Sequence, residues 1–291
     1  MKRLRVDYHF HPYLPKNQQR ALKKCLKWWK YIRKNNLNCV IITEHVFKEA
    51  QRTYQLMKQT QPQHIFCFPG MEHISKEGID TVVFSKDESI YNYKELRAFK
   101  LSYYELIDFV LTHPGLYAFV THPYFIGYSS VAKNMGQGAY EHALKRLQAI
   151  ELTLGALDNV YLFLDKFPFY KNVFKKTAKM INRSRNLSKN NYQQIKFFAA
   201  GSDAHHFHNL GTHLKINSNQ EIKTEIQAFN LLVNNHGKVF RSRTRIHFKS
   251  LVYDFFIIIF EGFIKRKERY FRKENIFVLK ESFKNFNNRN K

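Results

Sequence analysis

The sequence predicts an α/β fold built from a mainly parallel sheet covered by helices. Short β-prone segments recur up to residue 200, and longer segments with apolar residues at every third or fourth position separate them. This alternation of strand and helix is typical of parallel sheets, in which helices connect successive strands. The residue pattern alone leaves two architectures open, a barrel and an open doubly wound sheet.

The predicted elements follow one another in regular order. Strands are predicted at residues 4–8, 39–42, 65–68, 81–84, 117–120, 150–152 and 197–200. Helices are predicted at residues 16–34, 48–58, 93–111, 140–147, 166–181 and 220–236. The polar segment 183–194 is predicted to be a surface loop. We therefore divide the chain into one domain at residues 1–240 and a basic, aromatic C-terminal extension at residues 241–291.

The charge of the chain favours polyanionic partners. Its 48 basic and 23 acidic residues give a net charge of +25. A field of this size attracts phosphorylated metabolites, nucleic acid or an anionic membrane surface. Dispersed lysines are equally consistent with an ordinary solvated surface, so the charge alone does not choose a partner.

Cysteine usage and hydropathy predict a reduced, cytoplasmic protein. The three cysteines, Cys25, Cys39 and Cys67, are odd in number and lack CxxC spacing, which argues against disulfides and a thiolate zinc site. The basic N-terminus reaches Asp7 before any apolar segment develops, so no signal peptide is predicted. The apolar segment 251–264 is shorter than the ~20 residues of a membrane span and includes two acidic residues. No transmembrane segment is therefore predicted.

Residues that can bind metals concentrate at the ends of the predicted strands. The candidates are His9, His11, Glu44, His45, Glu72, Asp80, His122, Asp203 and His205. In parallel α/β folds the carboxyl ends of the strands meet on one face, where such residues converge. Alternate positions of a strand point the same way, so His9 with His11, and Asp203 with His205, can each present two ligands to one pocket.

Five of these segments resemble the motifs of the PHP (polymerase and histidinol phosphatase) family. They are VDYHFHPY at residues 6–13, VIITEHV at 40–46, FPGMEHIS at 68–75, FVTHPYF at 119–125 and AAGSDAHHFHNLG at 199–211. Their order and intervals are those of the family over residues 1–215. The resemblance implies a distorted seven-stranded (β/α) barrel, similar to a TIM barrel, that holds two or three Mn, Zn or Fe ions.

The resemblance also implies a set of metal ligands. His9, His11, Glu72 and Asp203 would hold one ion, and Glu72 would bridge to a second ion that His122 also binds. His45 and His205 would share a third ion. A mixture of imidazole and carboxylate ligands suits Zn, Mn or Fe better than Ca or Mg.

The sequence departs from the family pattern at three places. A histidine or aspartate is expected shortly after the first motif, where Pro15, Lys16 and Asn17 stand instead. The third metal site thus lacks an expected ligand. Glu44 replaces an aspartate that we expect to support the metal site without binding metal. Asp80 stands where many relatives have histidine, and we count it as a ligand because aspartate binds hard metals.

The resemblance implies that the chain hydrolyses a phosphoester with a metal-activated water, and a phosphomonoester is the favoured substrate. Two metal ions can activate water and neutralise phosphoryl oxygens together. The sequence has neither a Gly-x-Ser-x-Gly nucleophile motif nor a Gly-rich phosphate loop. His205 and His206 are the candidate general acids for the leaving group.

Two other functions remain open at this stage. A PHP-type nuclease acting on single-stranded nucleic acid is suggested by basic and aromatic residues interleaved at 241–249 and 265–274. A PHP domain that binds metal without catalysis is the second. An amidohydrolase-type barrel also begins with HxH, but it requires a lysine ligand on a middle strand, for which we find no candidate.

The extension is predicted to be an accessory segment that positions the protein and contributes no catalytic residue, because every motif lies before Gly211. Its apolar segment 251–264 can either close one end of the barrel or lie in an anionic membrane interface. The first arrangement is favoured because this segment is more apolar than one helical stripe requires.

Overall fold

The computed structural model of the chain describes residues 1–125, 129–166, 175–187 and 194–240, together with the isolated positions 252 and 256. The chain separates into two units, Met1–Leu251 and Val252–Lys291. The predictions for the extension fall almost entirely outside the described residues and stay predictions. Among the described residues, no helix combines the length and the apolar character that crossing a bilayer demands.

The described strands form two sheets. They are β1 (Arg3–Phe10), β2 (Cys39–Ile42), β3 (Phe66–Ile74), β4 (Asp80–Ser85), β5 (Leu116–Val120), β6 (Ala149–Leu154), β7 (Phe197–Gly201), β8 (His213–Asn217) and β9 (Lys238–Phe240). The larger sheet has seven strands in the order β5-β4-β3-β2-β1-β8-β9, and β6 pairs with β7 in the smaller sheet. β1, β2 and β3 are mutually parallel, as are β6 and β7, whereas the other pairs are antiparallel.

Helices connect these strands. They are α1 (Gln18–Lys34), α2 (Ala50–Gln59), α3 (Tyr103–Thr112), α4 (Val131–Asn134), α5 (Gln137–Leu147), α6 (Gly155–Leu164), α7 (Lys175–Asn186) and α8 (Glu225–Leu232). Short 3-10 helices lie at Glu88–Asn92, Lys94–Leu96 and Phe207–Asn209. Buried apolar residues hold α1 against the sheet, among them Trp28, Trp29 and Ile32. The α/β class is the one the sequence predicted, whereas the mainly parallel sheet is not, since four pairings of the larger sheet are antiparallel.

The predicted closed barrel is not what the described residues form. The seven-stranded sheet curls into a half-barrel, and four of its pairings are antiparallel. Residues 75–79 are the whole connection between β3 and β4. Because a parallel crossover needs a dozen or more residues, this short connection makes β3 and β4 a hairpin. β8 and β9, which the sequence did not predict, extend the sheet beyond β1.

Several predicted helix boundaries were wrong. The helix predicted at 93–111 begins only at Tyr103, where Ser102 and Glu105 form a capping box. The helix predicted at 166–181 begins at Lys175 among the described residues and continues to Asn186, into the segment predicted to be a loop. α6 was not predicted, because its apolar residues follow β6 directly and no polar segment separates the two.

Candidate metal centre

The site lies where β1 and β7 end side by side. The Ser202 N–H donates to Asp7 Oδ1 at 2.9 Å, and the Asp203 N–H donates to the His9 carbonyl oxygen at 2.7 Å. Gly201 permits this approach, since a Cβ at this position would lie 2.5 Å from His9 Cβ. Burial raises the pKa of Asp7 to about 7, although the Ser202 hydrogen bonds oppose the shift. The ends of both strands are therefore fixed to each other.

One group of ligand atoms comes from β1, β3 and the turn after β7. His9 Nε2 lies 3.1 Å from His11 Nε2 and 3.3 Å from Glu72 Oε1. Asp203 Oδ1 lies 3.2 Å from His11 Nε2 and 3.7 Å from His9 Nε2. His9, His11 and Glu72 are buried, and the Asp203 side chain is 19% exposed. Side chains from three separate segments of the chain thus bring their polar atoms close together.

These spacings fit a transition-metal ion. Metal–ligand distances of about 2.1 Å place neighbouring ligand atoms about 3.0 Å apart in octahedral and about 3.4 Å apart in tetrahedral geometry. The four distances in the group run from 3.1 to 3.7 Å. The donor set of two imidazoles and two carboxylates suits Zn, Mn or Fe. The residues present therefore fit the implied ion.

A second group shares Glu72 with the first. His122 Nε2 lies 3.3 Å from Glu72 Oε1 and 3.7 Å from Asp80 Oδ2. β3 carries Glu72, β4 begins at Asp80 and His122 follows the end of β5, so the antiparallel pairing of these strands brings the three residues together. All three are potential ligands of one ion. Glu72 Oε1 lies 3.3 Å from both His9 Nε2 and His122 Nε2, so one carboxylate oxygen is shared by the two groups.

A third group is made of histidines. The ring centroid of His11 lies 4.2 Å from that of His45 and 4.5 Å from that of His205, and both ring pairs are stacked. These three residues can also meet at one ion. Asn17, the one residue after the first motif that could have added a ligand, instead caps α1 by accepting the Arg20 N–H at 3.0 Å. The missing third-site ligand is therefore not replaced by Asn17.

Two of these residues have left-handed backbone. His122 has φ of 32° and Asp203 has φ of 49°. Non-glycine residues rarely adopt this region, and such strain concentrates at functional sites. Each residue lies two positions after the end of a strand, β5 for His122 and β7 for Asp203. Six other described non-glycine residues also have positive φ, so this conformation accompanies the site but does not mark it.

Glu151 of β6 supports the site, and the sequence analysis missed it. Its Oε1 lies 3.1 Å from His9 Nδ1, and its Oε2 accepts the His122 N–H at 2.8 Å. One carboxylate thus contacts a residue from each of the first two groups. The sequence contained a signal, because Glu151 is an acidic residue inside the otherwise apolar strand AIELTL. We overlooked it because we considered residues at strand ends.

Glu44 is buried beside the histidines and accepts backbone hydrogen bonds there. It accepts the Tyr13 N–H at 2.7 Å and the His45 N–H at 3.1 Å, and its Oε1 lies 3.8 Å from His11 Nδ1. Metal-binding histidines commonly have their second ring nitrogen beside a carboxylate, which fixes the tautomer. Glu151 has this arrangement, with its Oε1 3.1 Å from His9 Nδ1. The 3.8 Å between Glu44 Oε1 and His11 Nδ1 is too long for a hydrogen bond.

The electrostatics of the site favour a bound cation. Burial raises the pKa of Glu72, but His45 and His9 outweigh burial and hold that pKa well below its usual range. Burial lowers the pKa of His9, but Asp203 and Glu72 outweigh burial and raise it well above its usual range. Burial, His45 and His205 lower the pKa of His11 to about 3. The carboxyl groups of Glu72 and Asp203, whose pKa values both lie below the usual range, therefore stay ionised and make this part of the site negative.

The two candidate general acids differ in position. His205 is buried within the histidine group, with Nδ1 3.0 Å from the Asp203 carbonyl oxygen. His206 is half-buried, and its Nδ1 accepts the His208 N–H at 3.4 Å at the start of the 3-10 helix Phe207–Asn209. The geometry brings His205 to the site, while His206 faces its own helix. Their catalytic roles stay predictions.

The fold and the site together define a mixed α/β protein with a buried imidazole and carboxylate cluster that can hold metal ions. No family model matches the chain, and no curated protein matches it. The structure is similar to PsfC from Pseudomonas syringae PB-5123, with a TM-score of 0.56 and 15% identity over 92% of this chain and 99% of that one. It also matches the lesion-specific endonuclease PfuEndoQ from Pyrococcus furiosus, with a TM-score of 0.48 and 13% identity over 81% of this chain and 57% of that one. The likeness to PsfC is one of fold.

Proposed function

We propose that the chain is a metal-dependent phosphoesterase of the PHP type, with a phosphomonoester as its substrate. One observation carries the proposal: the Glu72 carboxylate lies within 3.7 Å of ring nitrogens from His9, His11, His45 and His122. Burying so many polar groups is costly unless each is paired or binds a metal. The motif order at residues 6–211 supports the same assignment independently.

Eight residues would hold the metals. They are His9, His11, His45, Glu72, Asp80, His122, Asp203 and His205. When bound, divalent ions supply Lewis acidity toward the phosphoryl oxygens and toward water. In this proposal Glu72 would contribute to both of the first two metal groups, and Glu151 would orient the His9 imidazole. Glu44 would hold the neighbouring His45 in place through its backbone N–H.

Water is the nucleophile in this proposal, because the described thiols are unsuited to the role. Burial raises the pKa of Cys25 to about 11 and raises the pKa values of Cys39 and Cys67 well above their usual range. Thiolates, and not thiols, are the nucleophilic form of cysteine. His205 is the better of the two predicted proton donors for the leaving group, since it lies within the site and His206 does not.

Cationic groups beside the site support an anionic substrate. Lys24 Nζ donates to the Tyr13 carbonyl oxygen at 2.7 Å, and Lys48 Nζ lies 5.2 Å from the centroid of the Tyr13 ring. The Tyr13 ring centroid is in turn 5.1 Å from that of His205. Two lysines therefore stand next to the histidine group, where they can meet the charge of a phosphate.

Replacing one histidine inside the site and one outside tests the proposal. His122→Gln should lower Mn-dependent hydrolysis of p-nitrophenyl phosphate at least about a hundredfold, because one ligand of the second group is lost. The matched control is His142→Gln, which removes a half-buried histidine of α5 outside the site. Its activity should stay within twofold of the unmodified chain.

Two results would count against the proposal. Activity of folded His122→Gln within tenfold of the unmodified chain would show that His122 is not part of the catalytic machinery. Stoichiometric metal with no turnover of any phosphomonoester or phosphodiester in a broad panel would instead favour the metal-binding, non-catalytic alternative.

A further inference from the structure

The exposed face of α1 carries a row of lysines that the proposed hydrolysis does not use. Lys23, Lys27, Lys30 and Lys34 follow one another at intervals of four, three and four residues, and all four are exposed. This spacing places them on one face of the helix. At 1.5 Å per residue the row extends about 16 Å along the helix axis. We call these four residues the lysine stripe.

Nothing in α1 balances this charge. Its sequence, QQRALKKCLKWWKYIRK, contains basic residues and no acidic residue. Among the described residues, none of the four stripe lysines takes part in an ion pair. Like charges three or four residues apart destabilise a helix. Burial of the opposite face therefore has to offset the repulsion among the basic side chains of α1. A polyanion bound to the exposed face would neutralise these charges and relieve the repulsion.

Aromatic and imidazole rings lie among the stripe lysines. Tyr31 is half-buried, stacks on Phe207 with ring centroids 5.3 Å apart, and meets the exposed His208 edge-on at 5.4 Å. Lys27 Nζ lies 4.6 Å from the centroid of the Phe207 ring. Positive charges interleaved with ring faces are the usual composition of surfaces that bind single-stranded nucleic acids.

The stripe borders the candidate metal centre. Phe207 and His208 belong to the 3-10 helix that follows Asp203 and His205 directly in sequence. From the other direction, Lys24 and Trp28 of α1 donate to the carbonyl oxygens of Tyr13 and Pro12, which follow His11 in the chain. A strand held on the stripe would therefore run beside the segment that carries His11.

We propose that the lysine stripe, with Tyr31 and His208, is a binding surface for single-stranded nucleic acid. The lysines would pair with phosphates and the two rings would offer stacking surfaces for bases. An anionic membrane fits less well, because interfacial helices present a broad apolar face beside their cations. In α1, Leu26 is a large apolar side chain that is 58% exposed, and a single such residue does not make an apolar face. The proposal concerns binding and does not depend on hydrolysis.

Two fourfold variants test the surface. One replaces Lys23, Lys27, Lys30 and Lys34 with glutamine. The control replaces four exposed lysines elsewhere in the chain, Lys86, Lys94, Lys100 and Lys145, with glutamine and thereby changes the net charge equally. Binding of a fluorescent oligothymidylate of about 20 nucleotides is followed by anisotropy over a salt series. EDTA is present throughout, so that binding is measured without turnover.

The stripe variant should bind at least about tenfold more weakly than the unmodified chain. Its slope of log K against log salt should fall by about 3 units, at about 0.7 per phosphate contact for single strands. The control should lose less than threefold. Tyr31→Leu should weaken binding about fivefold and leave the salt slope unchanged, because stacking is lost and charge is kept. Hydrolysis of p-nitrophenyl phosphate should not change in the stripe variant.

Three outcomes would overturn the proposal. They are equal losses in the stripe and control variants, no oligonucleotide binding by the unmodified chain, and a stripe-dependent affinity for phosphatidylserine vesicles that exceeds the affinity for the oligonucleotide. If the fourfold variant does not fold, Lys30→Gln with Lys34→Gln takes its place. That double variant should reduce the salt slope by about half as much.

Discussion

The candidate metal centre and the lysine stripe both concentrate ionisable side chains, but under opposite conditions. In the centre, imidazoles and carboxylates are buried and lie within 3.1 to 3.7 Å of one another in the first group. In the stripe, four lysines are exposed and unpaired with acids among the described residues. Buried charges must be matched closely, whereas exposed charges need no local partner. The first arrangement suits a small cation and the second suits an extended anion.

The largest expected effect on hydrolysis comes from a substitution in the metal centre. Glu72→Gln should lower phosphoester hydrolysis at least about a thousandfold, because the carboxylate shared by two groups is lost while side-chain volume is kept. Glu141→Gln, an exposed glutamate of α5, is the matched control and should retain full activity. Steady-state kinetics at saturating Mn measures both. Activity of Glu72→Gln within tenfold of the unmodified chain would contradict a bridging role.

Glu151→Gln should have the next largest effect, through the histidines it orients. Loss of such supporting carboxylates typically costs about 10 to 100-fold in metal affinity. The apparent dissociation constant for Mn should rise in this range, while the turnover number at saturating Mn recovers to within about fivefold. A Mn titration of activity separates the two quantities. An unchanged Mn requirement with a lower turnover number would show that Glu151 does not position the ligands.

How far the sequence predicts this site is best seen at Glu151 and Glu44. The expectation that ligands gather at strand ends identified the residues after β1, β2, β5 and β7. The structure brings histidines from these positions into overlapping groups. This expectation overlooked Glu151, because this residue lies inside a strand and its role depends on β6 pairing with β7, whose end is fixed to β1. The supporting role of Glu44 was implied by the family resemblance, in which an aspartate stands at this position.

The fold was predicted less completely than the site. Hydrophobic periodicity located the first seven strands but carried no information on their direction, so the antiparallel pairing of β3, β4 and β5 was missed. The length of the connection at residues 75–79 held that information. The sheet also depends on pairings between distant segments, such as β1 with β8, that local patterns do not encode.

His45→Ala should have a smaller effect than either glutamate variant. His45 belongs to the histidine group, which lacks the ligand expected near Asn17. We expect about a tenfold loss of activity, measured with the same aryl phosphate. A loss as complete as that of Glu72→Gln would instead indicate a working third ion with a ligand not yet assigned.

The last expected effect is on stability and not on activity. It concerns His213, a buried histidine outside the centre. Burial lowers the pKa of His213 to about 4, although its hydrogen bond with the Gly211 carbonyl oxygen opposes the shift. In the unfolded chain the ordinary value is about 6.5, so the unfolded state takes up a proton first as the pH falls. The stability that neutral His213 contributes is present above pH 6.5 and is lost between about pH 6.5 and 4.

His213→Gln tests this linkage without touching the metal centre. The variant should be less stable than the unmodified chain at pH 7.5, because packing is disturbed. Its free energy of unfolding should fall less between pH 7.5 and pH 5, by up to about 2 kcal/mol. Urea unfolding at the two pH values measures the difference. Parallel losses in both proteins would show that His213 does not titrate in this window.

Metal content tests the central claim most directly. The chain should be purified without chelator or a histidine tag, supplied with Mn, dialysed and analysed for Mn, Zn and Fe against protein concentration. We predict at least two ions per chain, because the first two groups each offer at least three ligands and share Glu72. Fewer than one ion per chain in folded protein after Mn loading would contradict the metal centre and, with it, the proposed hydrolysis.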